Sequence, residues 1–167
     1  MQYLFILIFI LVYCFYGKEL GFTSTSLWYT HFTYMFQHAG WIHLIMNSIA
    51  FVGIFRVLKA FYRKRVICTI ILISAYCSSL FSSHSIPTMG ASGMIYAMFG
   101  MFTSLLVEKQ ITWNKNTALF YGSIILTIVI SLLKPNSNFL LHVYSMFFGF
   151  IYSLNYWIIN NYKYGRN

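Results

Sequence analysis

One serine, two histidines and one asparagine stand out in a sequence that is otherwise dominated by apolar residues. Ser92 lies between two glycines in the stretch TMGASGMIYAMFG, while His43 and Asn47 share the stretch HLIMN. A further histidine, His142, lies near the start of the last apolar run. A serine hydroxyl becomes a nucleophile when a neighbouring base removes its proton, and histidine is the usual base. These residue types therefore suit acyl transfer, provided that the fold brings them together.

The elements that must position these residues are membrane-spanning helices. Hydrophobic residues make up 59% of the 167 residues and charged residues only 8%, whereas soluble domains carry roughly a quarter charged residues. A bilayer-spanning helix needs about 17–25 mostly apolar residues. Six segments approach this length, at residues 2–16, 40–58, 66–81, 90–107, 118–133 and 139–159. The sequence predicts an all-α, polytopic membrane protein: a six-helix bundle forming a single domain over residues 1–167, with the first segment retained as a span.

The basic residues predict how this bundle is oriented. Nine of the eleven lie on one side of the predicted spans: Arg56, Lys59, Arg63, Lys64, Arg65, Lys109, Lys115, Lys163 and Arg166. The opposite loops hold only Lys18 and Lys134. An excess of Lys and Arg marks the cytoplasmic side, so both termini are expected in the cytoplasm. The formal charge of +9 is thus assigned to topology beside anionic lipid headgroups and not to nucleic-acid binding.

The polar residues of the second, fourth and sixth spans share one depth. These three spans run inward from the outer side, and each carries its polar residue within its first two turns. With a rise of 1.5 Å per residue, the polar layer lies roughly 5–10 Å below the outer surface. His43 and Asn47 are also four residues apart, and hence on one helix face. The first, third and fifth spans offer only scattered Ser, Thr and Tyr.

Small residues predict which helices meet. They recur at helical intervals after the serine and after the last histidine, at Gly93, Ala97 and Gly100 and at Ser145 and Gly149. Such stripes let helix backbones approach closely in lipid. Packing of the fourth span against the sixth along these stripes would carry Ser92 towards His142.

Ser92 and His142 are predicted to act as a catalytic dyad, without the carboxylate that completes a triad. The only acids, Glu19 and Glu108, fall in loops on opposite sides of the membrane, so a triad with an intramembrane aspartate is excluded. The histidine would then be oriented by packing. Tyr96 lies one turn after Ser92 on the same face and is expected to stack on the imidazole of His142.

Donors for the developing oxyanion are also present. Asn47 supplies an amide, His43 a ring N–H, and the start of the fourth span supplies free backbone N–H groups, including that of Ser92. Gly90 and Gly93 are expected to let a substrate carbonyl approach this backbone without obstruction by a side chain.

With these motifs and six predicted spans, the chain resembles the rhomboid intramembrane serine proteases, in their compact six-span bacterial form. The family's G-x-S-G motif is present as Gly90-Ala91-Ser92-Gly93, followed by Tyr96, and its H-x-x-x-N motif as His43-Leu44-Ile45-Met46-Asn47. The histidine of the last span corresponds to His142. The resemblance implies that Ser92 is the nucleophile, that His142 is the base and then the acid, and that His43, Asn47 and the Ser92 N–H line the oxyanion hole.

The resemblance also implies a substrate and a place in the cell. The expected reaction is hydrolysis of a peptide bond in or near the transmembrane segment of a membrane-protein substrate, without a cofactor or a metal. The protein is expected to be a multi-pass protein of the cell (inner) membrane, with its active site near the outer face. The lipid bilayer and transmembrane clients are the expected partners.

Three other interpretations of the sequence remain open. A catalytically silent rhomboid-like protein would bind transmembrane clients without cutting them. A small transporter would use the polar layer for a solute, although such sites tend to lie near the midplane of the bilayer. A metal site on His43 and His142 would lack carboxylate or thiolate ligands. The remaining histidines, His31, His38 and His84, are expected to be structural or solvent-facing.

Overall fold

The computed structural model describes residues 1–17, 19–82, 85–135 and 137–164, without the side chains of residues 163 and 164. The predictions for Lys18, His84 and Arg166, and for the side chain of Lys163, lie outside the described residues. The described part is helical: α1 (Gln2–Phe15), α2 (Thr30–Thr33), α3 (Trp41–Leu58), α4 (Lys64–Phe81), α5 (Ser92–Val107), α6 (Lys115–Leu133) and α7 (Phe139–Tyr164). A 3₁₀ turn at Tyr34–Phe36 follows α2.

The all-α architecture is confirmed, and each predicted span corresponds to one of the six longer helices. Within the described residues, α3, α4 and α6 are long and apolar enough to cross a membrane, while α1 and α5 are apolar but shorter. The bounds differ most at two places. The helix α6 begins at Lys115 and not at 118, because the Asn114 side chain accepts hydrogen bonds from the N–H groups of Asn116 and Thr117 and so caps the helix. The helix α7 runs beyond 159 to Tyr164.

The helix α5 forms the centre of the bundle. Ten consecutive residues from Gly93 to Phe102 are buried, and α5 packs against α3, α4 and α7. The glycines explain the closest of these contacts. A Cβ atom at Gly100 would collide with the backbone of Met146 on α7, and one at Gly149 would collide with the backbone of Ala97. The predicted packing of the two small-residue stripes is therefore confirmed.

The helix α6 lies at the periphery and is seated on the bundle along a narrow stripe. Its buried residues are Thr117, Ile124 and Ser131, which follow one another at intervals of seven. Residues seven apart fall on nearly the same face of a helix. The other faces of α6 are mostly exposed and apolar, as expected for a helix in contact with lipid.

The loop between α1 and α3 supports the segment that leads into α5. Tyr34 is fully buried, and its hydroxyl donates a hydrogen bond to the carbonyl of Ala75 on α4, at 3.0 Å. Its own carbonyl accepts the Gly90 N–H at 2.9 Å. Phe22 and Thr88 exchange two backbone hydrogen bonds. The residues before Ser92 are thus held from the loop side as well as by the helix itself.

The opposite end of the bundle contains a second polar group, which we call the Glu108 cluster: Tyr62, Ser104, Glu108, Gln110 and Ser153. The Tyr62 hydroxyl lies 3.0 Å from Glu108 Oε1 and accepts a hydrogen bond from Ser153 Oγ at 2.7 Å. Gln110 Nε2 donates to Glu108 Oε2 at 2.7 Å, and Ser104 Oγ lies 2.8 Å from Ser153 Oγ. Burial raises the pKa of the Glu108 carboxyl above its ordinary value. The cluster ties the α3–α4 connection to α5 and α7.

Candidate active site

Ser92 and His142 meet at the end of the bundle where α5 begins. Ser92 is the first residue of α5, and His142 lies in the first turn of α7. The Ser92 Oγ is 3.0 Å from His142 Nε2, a hydrogen-bond distance. The histidine is 8% exposed, whereas the serine is only partly buried. The close packing of α5 against α7 carries both side chains to this contact, so a serine hydroxyl faces a nitrogen that can take its proton.

Tyr96 fixes one face of the histidine ring. The two rings are stacked, with centroids 4.3 Å apart and planes inclined by 14°. Tyr96 itself is buried one turn below Ser92. The stacking predicted from the sequence is therefore confirmed. It restricts rotation of the imidazole away from the orientation in which its Nε2 faces Ser92.

A second hydroxyl contacts the other ring nitrogen, and the sequence reasoning missed it. His142 Nδ1 lies 2.7 Å from Ser131 Oγ on α6, and Ser131 Oγ lies 2.7 Å from Ser137 Oγ. From the sequence, the fifth span was expected to offer only scattered Ser, Thr and Tyr, and His142 was expected to be oriented by packing. The signal that could have found Ser131 is its spacing of seven residues from Ile124 and of fourteen from Thr117, which places the polar Thr117 and Ser131 on one stripe of an apolar helix.

Gly90 adopts a conformation that brings backbone against the donors of α3. Its φ of +127° lies in a region that side chains rarely tolerate. A Cβ atom there would lie 2.7 Å from His43 Cε1, 2.9 Å from His43 Nε2 and 3.1 Å from Asn47 Nδ2. Only a glycine leaves this space free, so His43 and Asn47 both lie against the chain that leads to Ser92.

The Asn47 amide is a donor without a partner. Its Nδ2 atom is buried and has no hydrogen-bond partner within the described part of the chain. Five other buried side-chain atoms of the described residues also lack a partner, and Asn47 Nδ2 is distinguished by its place against Gly90 beside His43. An unsatisfied buried donor costs about 1–3 kcal/mol. The Ser92 N–H, at the first position of α5, also has no carbonyl four residues earlier in the helix to accept it. These donors have the character of a site that is completed by an oxygen of a ligand.

The side of Gly93 on which a side chain would lie faces the supporting loop and α7, and not the donors of α3. It is buried, and a Cβ atom there would point at the Tyr34 hydroxyl, 2.5 Å away, and at Ser145 Oγ, 3.4 Å away. The expectation that Gly93 opens a path for a substrate carbonyl is therefore wrong. The glycine makes room for the supporting loop and for α7, and of the two glycines only Gly90 faces the donors.

Two other histidines have structural partners, in agreement with the expectation. His38 Nε2 accepts the Ala91 N–H at 3.5 Å, and burial lowers the pKa of His38 to about 3, so the ring is a neutral acceptor. His31 Nδ1 lies 3.2 Å from Ser79 Oγ, and its ring stacks on Phe22. His38 therefore helps to hold the turn before Ser92 without contacting the serine. Among the described residues, no group of three or more His, Cys, Asp or Glu side chains could hold a metal ion.

Comparison with known proteins agrees with the motifs and the fold. The model of the rhomboid domain matches residues 25–158. RHOMBOID-like protein 7 of Arabidopsis thaliana is 34% identical over 127 residues, which cover 71% of this chain but only 40% of that protein. YdcA of Bacillus subtilis (strain 168), named as a candidate rhomboid protease, is 22% identical over 142 residues, which cover 82% of this chain and 71% of that protein. Since the domain match includes the segments that carry His43, Ser92 and His142, and most of the chain besides, this multi-pass membrane protein belongs to the rhomboid family.

Proposed function

We propose that the protein is an intramembrane serine endopeptidase that hydrolyses a peptide bond in or near the transmembrane segment of membrane-protein substrates. The observation that carries the proposal is the 3.0 Å contact between Ser92 Oγ and His142 Nε2. The unpaired amide of Asn47, close to the same chain segment, supports it.

Acylation begins when Ser92 Oγ attacks the substrate carbonyl carbon while His142 Nε2 takes the hydroxyl proton. The carbonyl oxygen becomes an oxyanion, which accepts hydrogen bonds from Asn47 Nδ2, His43 and the Ser92 N–H. The C–N bond then breaks as the imidazolium gives its proton to the leaving amine. This leaves an ester on Ser92, a neutral His142 and a free amino terminus on the departing segment.

Deacylation repeats these steps with water. His142 Nε2 takes a proton from the water that attacks the ester carbonyl, and the same donors stabilise the second oxyanion. The C–O bond to Ser92 breaks, the imidazolium returns its proton to the serine, and a carboxylic acid product leaves. Water must therefore reach the site, and the partial exposure of Ser92 and His43 supports such access.

The charge distribution supports a site near the outer face of the cell (inner) membrane. The basic residues of the α3–α4 connection, and Lys109 after α5, lie at the Glu108 end of the bundle. By the preference of Lys and Arg for the cytoplasmic side, that end faces the cytoplasm together with both termini. The Ser92 end then faces outward, so the predicted clients are proteins whose spans have helix-weakening residues near their outer ends.

The proposal is tested by cleavage of a single-span reporter in liposomes, with the wild type, Ser92→Ala and Ser123→Ala. Ser123 is an exposed serine of α6 whose hydroxyl bonds only its own helix within the described chain, so Ser123→Ala is the matched control. Cleavage by the wild type and the control but not by Ser92→Ala is expected. Equal cleavage by all three would contradict the proposal. Binding of the reporter without cleavage by any of them would favour a catalytically silent client-binding protein instead.

A further inference from the structure

The hydrogen bond on the far side of the histidine supports an inference that rests on the proposed function and deepens it. We propose that Ser131 is a positioning residue for His142: it accepts the Nδ1–H and thereby keeps Nε2 unprotonated and directed at Ser92. The two contacts, 2.7 Å to Ser131 Oγ and 3.0 Å to Ser92 Oγ, lie on opposite nitrogens of one ring.

The tautomer of His142 decides whether the dyad can work. A neutral imidazole carries one N–H, so a proton on Nδ1 leaves Nε2 as an acceptor, and a proton on Nε2 removes that acceptor. If Ser131 donated to Nδ1, the ring would carry its hydrogen on Nε2 and could not take the proton of Ser92. Only the arrangement in which Ser131 accepts from Nδ1 is productive.

Ser137 offers the Ser131 hydroxyl hydrogen an acceptor in this arrangement. Ser137 Oγ lies 2.7 Å from Ser131 Oγ. A hydroxyl has one hydrogen and two lone pairs, so donation to Ser137 leaves the lone pairs of Ser131 for the Nδ1–H. The result is a chain of hydrogen bonds that runs from Ser92 through His142 and Ser131 to Ser137.

A neutral hydroxyl thus occupies the position that an aspartate occupies in a soluble triad. Glu108 belongs to the cluster at the other end of α5, and the side-chain partners of the His142 ring nitrogens among the described residues are the two serines. Burying a carboxylate beside the histidine would carry a large desolvation cost in a membrane. A hydroxyl avoids that cost while it still sets the tautomer.

The location of Ser131 links the histidine to a helix that is otherwise loosely attached. Ser131 is one of the three buried residues of α6, and it is 5% exposed. The orientation of His142 therefore depends on α6 being seated at this end of its stripe. Substitutions at Ser131 act on the base without touching Ser92, Asn47 or His43.

The experiment compares Ser131→Thr with Ser131→Val, because the two side chains have nearly the same shape and differ in the hydroxyl. We expect Ser131→Val to lower kcat by about tenfold, the factor that corresponds to one lost hydrogen bond, with an unchanged KM. Ser131→Thr should retain kcat within about twofold of the wild type, and Ser123→Ala should match the wild type. Equal kcat in the Thr and Val variants would overturn the proposal, even if both are less active through altered packing.

An independent readout does not require activity. The ¹⁵N shifts of the imidazole nitrogens in ¹⁵N-histidine-labelled protein, assigned with His142→Asn, report the tautomer directly. The wild type and Ser131→Thr should carry the proton on Nδ1, and Ser131→Val should show a mixed or reversed tautomer. A wild type protonated on Nε2, or shifts unchanged in Ser131→Val, would overturn the role of Ser131. If the wild type cleaves nothing, the proposed function fails, and these shifts still decide the role of Ser131.

Discussion

The polar cluster around Glu108 and the polar cluster around Ser92 lie at opposite ends of the bundle, and they differ in how completely their buried polar atoms are hydrogen-bonded. In the Glu108 cluster, Tyr62, Ser104, Glu108 and Ser153 satisfy one another within a buried network. At the Ser92 end, both ring nitrogens of His142 are bonded, but Asn47 Nδ2 has no partner within the described chain. A saturated network holds helices together, whereas an unpaired buried donor is a cost that binding of a ligand can relieve. We therefore expect substitutions in the first cluster to change stability and those in the second to change rate.

The largest effect is expected from His142→Ala. Removal of the base leaves the serine without an acceptor for its proton, so kcat should fall by at least about 10³-fold. The unfolding temperature in detergent should fall, because Tyr96 and Ser131 lose the ring that they contact, but the protein should remain folded at the assay temperature. Reporter cleavage and thermal unfolding followed by circular dichroism measure the two quantities. A loss of activity that only follows a loss of folded protein would remove the distinction between the clusters.

Asn47→Ala should have the second largest effect. An oxyanion donor contributes a factor of about 10²–10³ in kcat, and KM should remain near that of the wild type because the interaction forms in the transition state. Stability should be unchanged or slightly higher, since the amide nitrogen has no partner to lose. Normal kcat combined with a lower unfolding temperature would identify Asn47 as an interhelical contact instead.

Tyr62→Phe tests the expectation that the Glu108 cluster contributes to stability and not to catalysis. The substitution removes the hydroxyl that bonds Glu108 and Ser153, and so leaves buried polar atoms without partners. The free energy of unfolding should fall by about 1–3 kcal/mol, while kcat at a temperature well below unfolding should equal that of the wild type. A fall in kcat for the fully folded variant would show that the Glu108 cluster is not purely structural.

The smallest effect is a dependence of stability on pH that originates in Glu108. Because burial holds its pKa above the ordinary value of 4.5, the folded state binds the proton more tightly than the unfolded state. The resulting stabilisation is complete below the ordinary carboxyl pKa and is lost as the pH rises through the raised value. The unfolding temperature should therefore decline more over this window in the wild type than in Glu108→Gln. Identical slopes in the two proteins would contradict this assignment.

Much of the fold could be predicted because the relevant signals are local in the sequence. Apolar length predicts the spans, and the glycines of α5 and α7 predict their contact, since only small residues permit that approach. The Glu108 cluster was not predicted. Tyr62, Glu108 and Ser153 are far apart in the chain, and each one alone is ordinary at the end of a span.

The candidate site was predictable where helix and residue type together restrict the geometry. Tyr96 follows Ser92 by one turn, so its stacking on the histidine follows once α5 and α7 are in contact. The roles of Ser131 and Gly93 could not be predicted in this way, because they depend on the arrangement of other elements. The rotation of α6 about its axis decides whether Ser131 faces lipid or His142, and the Cβ direction at Gly93 depends on Tyr34, which belongs to a distant loop. Neither the rotation of α6 nor the Cβ direction at Gly93 can be derived from the spacing of residues within one segment.

The most direct test of the central claim, that His142 activates Ser92 as a nucleophile, is covalent labelling by a fluorophosphonate. The modified residue is identified by mass spectrometry of the digested protein, so no substrate needs to be known. We predict one adduct on Ser92 in the wild type, its loss in His142→Ala, and undiminished labelling in Tyr62→Phe. A wild type without an adduct on Ser92, or labelling of Ser92 that persists unchanged in His142→Ala, would contradict the claim.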